Sequence, residues 1–145
     1  MIVIGLGNEF RRDDAIGLIA ARRLREQGIA AQEHEGDLAG LIDLWRSADG
    51  LILIDAVKSG ASPGTVHRRD VSATPLDLEV FKSSTHALGL ADAVELSRML
   101  GTLPSRVLVF GVEVRDVKAG VGLSLEVERA LPGLLEEVLA CAKHP

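Results

Sequence analysis

Four consecutive apolar residues, Leu51-Ile52-Leu53-Ile54, run without interruption to Asp55. A strand with no polar face must be buried on both sides, which requires a sheet covered by helices above and below. Met1 to Gly5 and Val107 to Gly111 repeat the pattern, each apolar and closed by glycine. Helical spacing fills the intervals. Asp14 to Gln27 carries Ile16, Ile19, Ala20 and Leu24 on one face, with Gly28 as its stop. Leu38 to Arg46 turns Leu41, Ile42 and Trp45 inward, and Leu88 to Leu100 does the same through Ala91 and Val94. Ser124 to Lys143 places Val127, Leu131, Leu134 and Val138 inside, with Ser124 as candidate N-cap and Pro132 as a bend point. Ile29 to His34 reads as a weaker strand, and Thr65 to Arg69 as a short edge strand after the Ser62-Pro63-Gly64 turn. Strands alternating with helices over 145 residues predict one α/β domain spanning 1–145, in three α/β/α layers around a mostly parallel, twisted central sheet.

Composition removes several classes of function. The apolar fraction of 47% and charged fraction of 26% are those of a globular chain rather than a disordered one. A net charge of −5 gives no basic footprint for nucleic acid. The single cysteine, Cys141, allows neither an internal disulfide nor a Cys-x-x-Cys zinc site. Its helical spacing with Leu134 and Val138 makes it a core thiol. No apolar run nears the ~20 residues that span a bilayer, so no membrane partner is expected. The first residues lack the basic and apolar regions of a signal peptide, and the expected location is the cytoplasm. Residues 71–85 form a long connection of the kind that is often functional, and Lys118 to Gly122 reads as a flexible loop.

In open α/β sheets, ligands bind beyond the carboxyl ends of the strands. Asp14 opens the first helix, Asp55 ends the central strand and His86 opens the helix after the long connection. All three therefore fall on one edge. Two carboxylates and an imidazole suit nickel, zinc or ferrous iron, and they equally suit acid–base chemistry without a metal. Each also has a plainer role. Asp13 or Asp14 can cap the helix, Asp55 can bind neighbouring N–H groups, and His86 can be a loop histidine. His34 is a reserve candidate at the second strand's end, whereas His67 and His144 have no comparable placement. Gly5-x-Gly7 does not make a dinucleotide fingerprint, because Phe10 stands where a third small residue is needed. Its glycines permit a tight turn.

Ile4-Gly5-Leu6-Gly7-Asn8, followed by Asp13-Asp14-Ala15-Ile16-Gly17, resembles the opening of the hydrogenase maturation proteases. Leu53-Ile54-Asp55-Ala56-Val57 with Pro63-Gly64-Thr65 is similar to that family's central strand and turn, and Ser84-Thr85-His86-Ala87-Leu88-Gly89-Leu90 to its histidine motif. The resemblance implies an endopeptidase that trims the C-terminus of the nickel–iron hydrogenase large-subunit precursor. It implies that Asp14, Asp55 and His86 recognise nickel already inserted in that precursor, with no permanently bound organic cofactor. Asp14 stands where many relatives carry glutamate. Glu35-Gly36-Asp37 departs from the family's acidic residue followed by two glycines. A non-catalytic, nickel-dependent docking or chaperone module uses the same ligands and is the alternative reading. A peptidyl-tRNA hydrolase shares the Gly-Leu-Gly-Asn opening, but Glu9 replaces the proline expected next and the acidic balance opposes a tRNA partner. The oligomeric state is left open.

Overall fold

A computed structural model describes residues 1–36, 38–81 and 89–143. The apolar runs become strands. β1 (Ile2–Leu6), β2 (Ala31–His34), β3 (Gly50–Val57), β4 (Val66–Asp70) and β5 (Arg106–Glu113) form one sheet in the order β2-β1-β3-β5-β4. Only β4 runs antiparallel, along β5 at the edge. The helices are α1 (Ile16–Glu26), α2 (Leu38–Trp45), α3 (Leu90–Met99) and α4 (Leu125–Lys143). The chain is thus the three-layer, mostly parallel α/β fold that its sequence predicts.

Strand alternation sorts the core into two halves. Val3, Ile52, Ile54, Leu108, Phe110 and Val112 face α1 and α4, where Ile16, Leu24, Val127, Leu134 and the buried Cys141 meet them. Leu51, Leu53, Val57, Val107 and Val109 face the other way, onto Trp45 of α2 and Val94 of α3. Trp45 is fully buried, and its indole N–H donates to Ser97 Oγ at 2.7 Å, so this large ring brings no unsatisfied donor into the core. Residues 71–81 are also held: Val71, Leu76 and Phe81 are buried, and the Arg98 guanidinium donates to the carbonyls of Val71, Ser72 and Thr74. No described helix is long and apolar enough to cross a membrane.

Three local expectations change. β3 does not end at Asp55 but continues to Val57, because β5 goes on pairing with it through Val57↔Glu113. Asp14 lies not in α1 but in a single 3-10 turn, Arg12–Ala15, that precedes it. The segment 118–122 is tied down rather than loose: Gly120 N–H donates to the Phe10 carbonyl, and Arg12 N–H to that of Gly120.

Three glycines bring the start of α1 onto the ends of β1 and β3. A Cβ on Gly17 would stand 2.3 Å from the Leu6 carbonyl oxygen and 2.5 Å from that of Ile54. A Cβ on Gly5 would stand 1.9 Å from the Gly17 oxygen. Gly7, at φ +151, passes so close to Asp14 that a Cβ there would lie 1.9 Å from the Asp14 oxygen. These obstacles are backbone atoms, which cannot rotate away. Gly17→Ala should therefore cost at least about 2 kcal/mol of stability. Gly133→Ala in α4, where a Cβ meets nothing within 4 Å, should instead gain up to about 1 kcal/mol. Denaturant melts of both variants check the pair of signs.

Candidate functional site at the carboxyl edge of the sheet

Asp14 and Asp55 meet at the carboxyl edge, as the topology requires. Asp14 is 3% exposed on the 3-10 turn that the glycine contact presses onto β1 and β3. Asp55 retains a partly open surface, yet protein packs densely enough around its carboxyl that burial is the first cause of a pKa raised to about 7. The Asp14 charge pushes the same way, and the Ala56 N–H, donating to Asp55 Oδ1 at 2.8 Å, pulls back. A carboxyl of this kind exchanges its proton near neutral pH, where proton transfer is most useful. The consequence for stability has a definite sign. Between the ordinary value of 3.8 and about 7, the folded state holds a proton that the unfolded state has lost, so raising the pH through this window weakens the fold. Asp55→Asn should remove that component. Its unfolding free energy, followed by urea titration from pH 4 to 8, should decline less than that of the wild type.

The neighbouring aspartate does different work. Asp13 is fully buried, and its carboxylate accepts the N–H groups of Arg115 at 2.9 Å, Asp116 at 3.0 Å and Ser124 at 2.6 Å, and the Ser124 hydroxyl at 2.8 Å. Burial alone would raise its pKa, but the hydrogen bonds outweigh burial and hold it below the ordinary value. Asp13 thus fastens both ends of the 115–124 loop to the turn that carries Asp14. Ser124 does sit before α4, with its carbonyl accepting the Glu128 N–H, but its hydroxyl serves Asp13. Asp13→Ala would strand several buried donors and should cost about 3 kcal/mol or more. Because its folded pKa is depressed, Asp13 stabilises the protein above the ordinary carboxylate range, and that contribution is lost as pH falls through the lowered value. A thermal melt at pH 7 measures the first effect, and an acid titration of the wild type the second.

Sequence reasoning passed over a second polar cluster on the same sheet face. Glu113, 1% exposed at the end of β5, accepts the Ser59 N–H at 3.0 Å and the Ser59 hydroxyl, and its Oε1 lies 3.2 Å from His67 Nε2. It also accepts Gly64 N–H through its carbonyl, so the turn after β3 is fastened to β5. The signal was present: Glu113 follows the apolar run of β5 as Asp55 follows that of β3. Gly111, the register partner of both Asp55 and His67, separates them, and the Phe81 ring fills the space a side chain there would take. On the other flank, Glu33 of β2 is gripped by Arg22 at 2.6 Å and Arg25 at 2.9 Å. His34 ends β2 beside Leu6, one strand out from the pair. His86 and Asp37 lie outside the described residues. Among the described residues, no group of three or more His, Cys, Asp or Glu could hold a metal ion.

Fold and site together define a three-layer α/β protein with an acidic pair, the buried Asp14 and the partly exposed Asp55, at the carboxyl edge of its sheet. The HycI family profile, described as hydrogenase maturation protease, matches residues 37–141. The hydrogenase 2 maturation protease of Escherichia coli is 32% identical over 150 aligned positions, covering 99% of this chain and 91% of that protein. The hydrogenase expression/formation protein HupD of Thiocapsa roseopersicina is 33% identical, and the match spans 78% of this chain but only 53% of that longer protein. Among solved structures, the hydrogenase maturating endopeptidase HybD from E. coli superposes with a TM-score of 0.79 at 30% identity, covering 98% of this chain and 91% of that one. The chain belongs to the hydrogenase maturation protease family.

Proposed function

We propose that this protein is the endopeptidase that removes the C-terminal extension of a nickel-loaded hydrogenase large-subunit precursor. Family membership supports the peptidase activity and the hydrogenase substrate. The single observation that carries the mechanism is the placement of Asp14, on the turn packed against β1 and β3, beside Asp55 of β3 at the carboxyl edge of the sheet, where burial and the Asp14 charge raise the Asp55 pKa to about 7. Near neutral pH such a pair can hold one proton between two carboxyls. The ionised member then accepts a proton from an attacking water, while the protonated member donates to the carbonyl oxygen or the departing amine. A substrate-borne nickel fits the same residues from a different direction. Carboxylate oxygens of Asp14 and Asp55, with the His86 imidazole as third donor, suit that ion and would hold the scissile bond beside them. The metal is then part of the substrate, and its arrival next to two close carboxylates relieves their mutual repulsion. Precursor without nickel lacks that gain and binds less well.

The test is a gel assay with purified precursor, with and without nickel. Wild type should give the shortened large subunit only from the nickel-loaded form. Asp55→Asn should fold and lose about 10²–10⁴-fold in kcat/KM, and His86→Ala should also fail to process. Unchanged cleavage by either variant removes that residue from the mechanism. A stable complex with no shortened product would instead identify a docking module.

A further inference from the structure

Gly111 of β5 has Asp55 of β3 as its register partner on one side and His67 of β4 on the other. Register partners project to the same face of a sheet, so Asp55 and His67 flank a position that has no side chain. Their Cα atoms are two strand spacings apart, about 10 Å. A carboxylate and an imidazole leaning toward each other over bare backbone can close such a gap. The His67 ring, 14% exposed, turns instead to Glu113 and lies 3.2 Å from its Oε1. Two apolar groups fill the space between. Phe81 Cε1 and Cζ lie 2.7 Å and 2.9 Å from where a Gly111 Cβ would stand, and Val57 Cγ1 lies 2.8 Å from it. The ring is also held from behind. Phe81 is 5% exposed, its N–H donates to the Asp77 carbonyl at 3.2 Å, and Asp77 Oδ1 accepts Arg69 Nε at 2.8 Å. Val71 N–H donates to the Val107 carbonyl at 2.9 Å, and Arg98 holds the carbonyls of Val71, Ser72 and Thr74. Residues 71–81 are thus a fixed arm that carries the ring from β4 back over β5.

We infer that Phe81, seated on Gly111, is a positioning residue that, with Val57, partitions Asp55 from His67 and keeps the Asp55 carboxyl beside Asp14. This rests on the peptidase function proposed above and names what keeps its acidic pair together. Charge alone favours a different arrangement. The Asp14 charge repels Asp55, and an imidazolium, which donates from both ring nitrogens, can bridge two carboxylates. With the space over Gly111 open, His67 would hold Glu113 on one side and draw Asp55 to the other. Asp55 would then be ionised, turned away from Asp14 and lost to proton transfer. The apolar ring offers neither carboxylate a bond and leaves no room for the bridge. Glycine at position 111 is what lets the ring come down onto the strand.

Crystal structures and steady-state cleavage of nickel-loaded precursor by Phe81→Ala, His67→Gln and the double variant test the partition. In the Phe81→Ala structure the Asp55 carboxylate should lie within hydrogen-bond distance of the His67 ring, about 3 Å. Its kcat should fall about tenfold or more, with KM within about threefold of wild type. Glutamine at 67 keeps a donor for Glu113 but no charge to attract a second carboxylate. His67→Gln alone should therefore stay within about twofold of wild type, and added to Phe81→Ala it should raise kcat about fivefold or more. Phe81→Leu, which still fills the space, should cleave like wild type. Thermal melts accompany each variant, and Phe81→Val carries the same comparison where Phe81→Ala does not fold. A ring that only fills the core gives a double variant no faster than Phe81→Ala. That result overturns the inference, and so does a Phe81→Ala structure with Asp55 still beside Asp14 and apart from His67. The structures decide the partition even where wild type leaves the precursor uncut, an outcome that removes the peptidase reading alone.

Discussion

The contact of Gly17 with the backbones of Leu6 and Ile54 is the constraint from which the site follows. At ordinary helix–sheet spacing, side chains separate the two layers. Here a Cβ at Gly17 would stand 2.3 Å and 2.5 Å from two carbonyl oxygens, so the first turn of α1 lies directly on the ends of β1 and β3. The 3-10 turn before it then carries Asp14 to the strand that holds Asp55. Gly5 and Gly7 clear the space below. The Gly-x-Gly pattern serves backbone packing and chain direction, not a phosphate.

Charge is then divided between neighbours that look interchangeable in the sequence. Asp13 is saturated with donors, stays ionised and fixes the 115–124 loop. Among the described residues Asp55 accepts one N–H, that of Ala56, and burial and the nearby Asp14 raise its pKa to about 7. The first arrangement stabilises the fold and the second opposes it, which is the usual relation between a scaffold and the reactive group it holds in place. The saturated carboxylate lies one residue from Asp14, so the force that keeps the second arrangement in place is local.

Much of this was legible in the sequence because buried parallel strands and amphipathic helices have distinct periods. The order of elements, the central place of Leu51–Ile54, the inward faces of Trp45 and Val138 and the core position of Cys141 all follow from apolar spacing. Asp14 and Asp55 were legible because strand ends and helix starts share an edge. What escaped depends on contacts distant in sequence. Asp13 and Asp14 differ in what each carboxyl meets, loop donors for Asp13 and Asp55 for Asp14, and Asp13's partners lie more than a hundred residues away. Glu113 and His67 were missed because His67 reads as an ordinary edge-strand residue until β4 pairs with β5. The end of β3 was misplaced because a polar residue interrupts the apolar run but not the ladder.

The central claim is that Asp55 is a carboxyl whose proton is held by burial and by Asp14. Carbon-13 NMR titration of the Asp55 side-chain carboxyl measures this in the intact protein. The account predicts a midpoint near the value of about 7 in the wild type, and a lower midpoint when Asp14 is replaced by asparagine. A wild-type midpoint close to the ordinary 3.8, unmoved by that replacement, would contradict it.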